Sequence, residues 1–147
     1  MFPHFPLCAN QGAVPMTERP FFSLRSMLLP ANLIILALSG LLVFYHVTML
    51  YDLGTGRGLS SDASYNAVQG GLRLGIIASL AGVVLGKRIA LWTMWLSIGG
   101  LIATHYWAHF GGLPVEFTIG RHPFSYLKGL IIPTIITAAF MRRSRPG

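Results

Sequence analysis

The sequence predicts an all-α integral membrane protein, with four transmembrane helices running up-down-up-down, and three observations predict it. Apolar residues fill 53% of the 147 positions and charged residues only 10%, where a soluble domain carries about a quarter charged. Fifteen charges and a mean hydropathy of +0.61 leave too little polarity to cover a water-facing surface, which excludes a soluble enzyme. The apolar residues also gather into four stretches, each near the roughly 20 residues that a helix needs to cross a bilayer. Finally, most of the basic residues sit between or beyond those stretches and not within them.

The first stretch has no charge from Ser26 to Tyr51. Its densest part, 31–51, gives about 31 Å of helix at about 1.5 Å per residue. Pro30 suits a first helical position, where its missing N–H has no partner to lose, so the first helix is placed at about 30–51. Residues 1–25 read as a flexible cytoplasmic segment rich in proline, with Met16 as an alternative start. Its single cysteine, Cys8, has no partner for an internal disulfide. Asp52 to Ser64 is a loop by composition. Gly54-Thr55-Gly56-Arg57-Gly58 within it follows no strand and precedes no Lys-Ser/Thr pair, so it is not a phosphate loop.

The second stretch, about 66–86, is interrupted by Gln69 and Arg73. Arg73 falls some two turns inside the helix. A charge there costs about 2.5 to 3.5 kcal/mol at mid-bilayer, so Arg73 is expected to snorkel or to pair with Asp52, Asp62 or Glu116. Gly71, Gly75, Gly82 and Gly86, with Ser79, recur at near four-residue spacing and predict a face that lets a neighbouring helix approach closely. Lys87-Arg88 then leaves room only for a tight antiparallel turn.

The third stretch, 89–110, carries His105, His109 and all three tryptophans. Trp92 and Trp95, one turn from Lys87-Arg88, read as interfacial anchors. Gly111-Gly112 and Pro114 end this helix. The fourth, about 124–141, contains Lys128 near its start and Pro133, which predicts a kink relieved by Thr134 or Thr137. Residues 142–147 form a basic tail. The domain plan is thus a leading segment, a helical domain over 26–141 and the tail.

Orientation follows from the basic residues. Arg19, Arg25, Lys87, Arg88, Arg142, Arg143 and Arg145 share one side, against Arg57 and Arg121 in the opposite loops. The positive-inside rule therefore puts both termini in the cytoplasm, in a bacterial inner membrane. A net charge of +7 is accounted for by topology, not by nucleic-acid binding.

That orientation places His46 and His105 at one depth, each about five residues before the outer end of its helix. His109 lies four residues after His105 on the same helix face. Imidazole is the commonest metal ligand, so His46, His105 and His109 form a candidate three-nitrogen site. A second version makes His46 and His105 the axial ligands of one haem. The plainer and favoured reading is that these side chains hydrogen-bond across helices among the aromatic residues of the interface. No glutamate sits between the histidines to make a hydrolase motif, and no catalytic residue is predicted. With no carboxylate inside any helix, a self-contained pump is disfavoured. The expected function is an accessory or structural subunit of a larger membrane assembly or homo-oligomer, with the lipid bilayer and other membrane subunits as partners and no cofactor expected. The alternatives are a haem- or metal-binding redox module and an oligomeric transporter of small solutes or ions.

Overall fold

The computed structural model describes residues 30–58, 60–113, 115 and 118–143. The readings of the leading segment, of Glu116 and of the tail beyond Arg143 lie outside these residues. The described residues are helical throughout apart from short loops: α1 is Pro30–Gly54, α2 is Ala63–Val84, α3 is Arg88–Phe110, a 3-10 segment spans Pro123–Leu130, and α4 is Ile131–Arg143.

Helix α2 begins earlier than composition suggests, because Asp62 is its N-cap. One carboxylate oxygen accepts from the backbone N–H of Ser64 at 2.8 Å and of Tyr65 at 3.1 Å, satisfying two donors that have no partner inside the helix. The other end closes on Gly86. Its φ of +79° is a left-handed conformation open to glycine, and it lets the Lys87 N–H reach the Gly82 carbonyl while its own N–H reaches Val83. This paired closure ends the helix in minimal length. Gly86 is therefore a turn residue, which corrects its placement on the packing face.

The fourth stretch is two helices in one. Its 3-10 turns run from Pro123 to Leu130 and give way to α-helix at Ile131. Pro133 thereby falls at the junction of the two helix types, three residues into α4. Thr134 donates to the Leu130 carbonyl at 2.7 Å and Thr137 to the Pro133 carbonyl at 2.8 Å, covering carbonyls at the junction.

Three helices are long and apolar enough to cross a membrane, namely Pro30–Gly54, Ala63–Val84 and the continuous Pro123–Arg143. Helix α3 is not among them, because histidines, tryptophans, glycines and hydroxyl residues dilute its apolar content. These three candidate spans point to a membrane protein.

Helix α2 packs along α3 and against α1, while α4 packs against α1 and the 3-10 segment packs against α3. The α2–α3 register is antiparallel over its whole length. A Cβ on Gly82 would come 2.7 Å from the Ala90 Cβ, one on Gly75 2.7 Å from the Ser97 Oγ, and one on Gly100 2.8 Å from a Leu72 methyl. Gln69 then bonds Thr104, and the Tyr65 ring meets Trp107 at 5.8 Å between centroids. Gly71, in contrast, faces open space, so the expected four-glycine face contracts to Gly75 and Gly82. At the end holding the α2–α3 turn, Val83, Met94, Ile136 and Phe140 form an apolar core. There Arg143 Nη1 donates to the Val84 carbonyl at 3.3 Å, bringing the end of α4 against the turn.

Candidate functional site

The buried face of α2 reads Tyr65, Gln69, Arg73, Ile76, Leu80 and Val83, a three-and-four spacing that keeps one stripe inward. Its first half is polar. Arg73 is only 1% exposed, so it does not snorkel, and among the described residues no carboxylate pairs with it; Glu116 lies outside them. Its Nη2 donates to Gln69 Oε1 at 3.1 Å, its Nη1 lies 3.3 Å from His46 Nδ1 on α1, and the guanidinium carbon stands 6.0 Å from the centroid of the Tyr45 ring. The buried Nε has no hydrogen-bond partner among the described residues.

Arginine has only donors, and that fixes the polarity of everything around it. Gln69 must turn its oxygen to Arg73, which leaves its amide nitrogen to donate to the Tyr65 hydroxyl at 3.1 Å and to Thr104 Oγ1 at 2.7 Å. Thr104 in turn donates to the Leu101 carbonyl at 2.7 Å. A directed chain of donors thus runs from the cation on α2 to the backbone of α3, in surroundings of low dielectric where such bonds strengthen one another. His46 Nδ1 must likewise accept, so a neutral imidazole carries its proton on Nε2.

His46 also lines a cavity of about 470 Å³ at the end holding the interhelical loops. The cavity lies between α1, α3 and the 3-10 segment, with Tyr45, His105 and Tyr126 on its wall among aliphatic side chains. It exists because α1 packs closely on α4 but has no comparable contact with the preceding 3-10 segment. Leu41 and Tyr45, both lining residues, are 56% and 50% exposed, so the cavity opens sideways at the helix surface.

The histidine trio does not converge. Among the described residues no three His, Cys, Asp or Glu side chains gather as metal ligands. His46 and His105 share the cavity, but His109 stands aside with its Nδ1 3.2 Å from the Tyr126 hydroxyl, while the His105 ring lies 5.6 Å from that of Tyr126. Equal depth brought two histidines to one chamber, and Tyr126 of the 3-10 segment lies against both histidines of α3. The Arg73 contact also sets His46 against metal ligation, since a ring that accepts at Nδ1 keeps a proton, not a lone pair, at Nε2.

Tyr65 and Tyr126 escaped sequence reasoning. Tyr65, Gln69 and Arg73 recur every fourth residue, the signal of one helical stripe, and could have been grouped by it. Tyr126 has no such signal, because its inward position depends on the 3-10 geometry. Trp95, read as a lipid anchor, donates its indole N–H to Thr137 Oγ1 at 3.0 Å and ties α3 to α4, whereas Trp92 is 76% exposed.

These features define a helical membrane protein with a buried cationic cluster beside a ligand-sized cavity. Compared with protein families, curated proteins and solved structures, the chain matches none.

Proposed function

We propose that this chain is a four-span membrane protein with both termini cytoplasmic, acting as an accessory subunit that holds a ligand in its loop-end cavity. The observation that carries the reading is Arg73, a buried charge with no ion pair among the described residues, one hydrogen bond away from a cavity wall. Ionisable residues inside a membrane are expensive and mark functional sites. The cavity lies within the size range of small-molecule sites, about 300 to 1,000 Å³, and has their make-up, an apolar lining with a few polar groups.

The fourth span is argued from α3, whose 23 residues give about 34 Å of helix and run beside α2 in unbroken register. Basic residues support the orientation: Lys87, Arg88, Arg142 and Arg143 lie at the turn end, against Arg57 and Arg121 in the opposite loops. Reporter fusions after Gly147 and within 55–58 are expected to report opposite sides of the membrane; a shared side would remove one span. Assembly with other subunits or with further copies fits the many large apolar side chains exposed on α1, among them Leu33, Leu36 and Phe44.

Native mass spectrometry of the detergent-purified chain tests the ligand reading. A bound small molecule is expected on the wild type and not on Gly129→Leu, which fills the cavity from the 3-10 segment. Equal spectra would count against it. The haem alternative draws on His46 and His105 facing one chamber. A Soret band that vanishes in His46→Phe would favour haem over an accessory subunit holding another ligand.

A further inference from the structure

We propose that the loop-end cavity binds the carboxylate head of a membrane-dissolved amphiphile, of the class of long-chain fatty acids, through the Nε2–H of His46 with Arg73 as the charge behind it. The inference rests on the reading of this cavity as a ligand site and adds the ligand's chemistry. The first argument is the sign of the donor. Arg73 occupies Nδ1 of His46 from one side, so the ring presents a proton at Nε2, on its far edge, and what it recognises is an acceptor oxygen. The second is charge. Arg73 is buried against Gln69, His46 and Tyr45, all neutral partners, and a buried charge is stabilised by an opposite one at short range. Among the described acids Asp62 is spent on the α2 cap, and the contacts of Arg73 among the described residues are with Gln69, His46 and Tyr45. An anion at His46 Nε2 supplies the opposite charge through one imidazole ring.

The rest of the wall says what the anion is attached to. Leu42, Leu101, Ile102 and Ile132 line the chamber, a surface suited to an alkyl chain and unsuited to a hydrated inorganic ion. The mouth at Leu41 and Tyr45 opens on the flank of α1, the most apolar of the helices, where a tail longer than the cavity continues into lipid. Gly129 leaves space on the opposite wall: a Cβ there would reach Ile102 Cδ1 at 3.8 Å, an ordinary contact, while a longer side chain would enter the chamber.

The test uses the full chain in phosphatidylcholine nanodiscs, with radiolabelled oleate as probe and methyl oleate, oleyl phosphate and a decyl-benzoquinone as competitors. Saturable binding of one oleate per chain is expected, with methyl oleate a poor competitor. His46→Phe should weaken binding about tenfold or more, the loss of one charge-assisted hydrogen bond. Because that variant also takes an acceptor from Arg73, Gly129→Leu serves as the variant that leaves the polar cluster whole, and it should abolish binding. Stronger competition by oleyl phosphate would reassign the site to phosphate headgroups and overturn the carboxylate. Competition by methyl oleate or the quinone equal to oleate would overturn the anion while leaving a ligand site. Oleate binding indifferent to Gly129→Leu would overturn both this inference and the ligand reading beneath it.

Discussion

The two ends of this protein hold helices together by opposite means. At the turn end, Gly82 lets α2 approach Ala90 of α3 until a single added carbon would clash, and Val83, Met94, Ile136 and Phe140 close an apolar core. At the loop end the same two helices are joined by Gln69 and Thr104, with Arg73 reaching α1 through His46. Lipid tails are as apolar as leucine, so hydrophobic burial gives helices in a membrane little reason to associate. Close packing and interhelical hydrogen bonds do that work instead. One end uses the first and the other end the second. The difference matters for function through charge and not through space: a pocket of about 590 Å³ lies between α1 and α4 at the turn end, whereas the loop-end cavity has the buried Arg73 behind its wall.

The largest effect should come from breaking the polar end. Gln69→Leu keeps the side chain's bulk but takes an acceptor from a buried guanidinium and a donor from Thr104 and Tyr65. Removing a hydrogen bond to a buried charge costs about 1.5 to 3 kcal/mol, to which the lost bonds to Thr104 and Tyr65 add, to be read from unfolding in detergent. Adding Arg73→Met to Gln69→Leu should recover part of that loss, because the charge left without its acceptor is then gone. A double variant less stable than Gln69→Leu alone would mean that Arg73 contributes through its packing and not its charge.

The packed end sharpens the contrast with a smaller effect. Gly82→Leu forces a side chain into the Ala90 methyl, and overpacking of this kind costs about 1 to 3 kcal/mol. Gly82→Ala should be relieved by Ala90→Gly, which returns the missing volume to the opposite helix. If the pair behaves additively, the 2.7 Å approach is not what sets the helix separation.

These two ends were not equally legible in the sequence. The apolar runs and the Lys87-Arg88 turn follow from length and charge, which act along the chain, and α2 departs from its expected start only because Asp62 caps it from within a loop-like stretch. The glycine face needed one more fact, helix rotation. Gly71 and Gly75 are one turn apart, yet the first faces open space and the second meets Ser97. The polar cluster depended on rotation entirely. Gln69 and Arg73 were visible as interruptions, and their fourfold spacing from Tyr65 was visible too. That His46 of α1 would turn toward them and His109 toward Tyr126 was fixed by how α1 and the 3-10 segment diverge. The metal trio failed for the same reason: depth is a property of one helix, and convergence is a property of two.

A third junction lies between the extremes. Trp95→Phe removes the indole donor that ties α3 to Thr137, while Thr137 keeps its bond to the Pro133 carbonyl and so is not orphaned. The expected loss is about 1 kcal/mol, that of a single neutral hydrogen bond. Trp92→Phe on the exposed face should change detergent stability less. Equal losses would return Trp95 to the role of a lipid anchor.

The smallest effect is expected at Gly71, and it separates packing from composition. Gly71 and Gly82 stand on one helix and both belong to the small-residue pattern, but an added Cβ meets nothing within 4 Å at Gly71 and a methyl at 2.7 Å at Gly82. Gly71→Leu should therefore change stability by no more than about 0.5 kcal/mol, the usual range for an exposed site free of special contacts. It also replaces a residue of low helix propensity with one of high propensity, a gain of up to about 1 kcal/mol in the isolated helix, so any shift should be toward greater stability. A loss at Gly71 comparable to that at Gly82 would show a second copy or another subunit packed against this face of α2, visible as a fall in assembly size by light scattering in detergent.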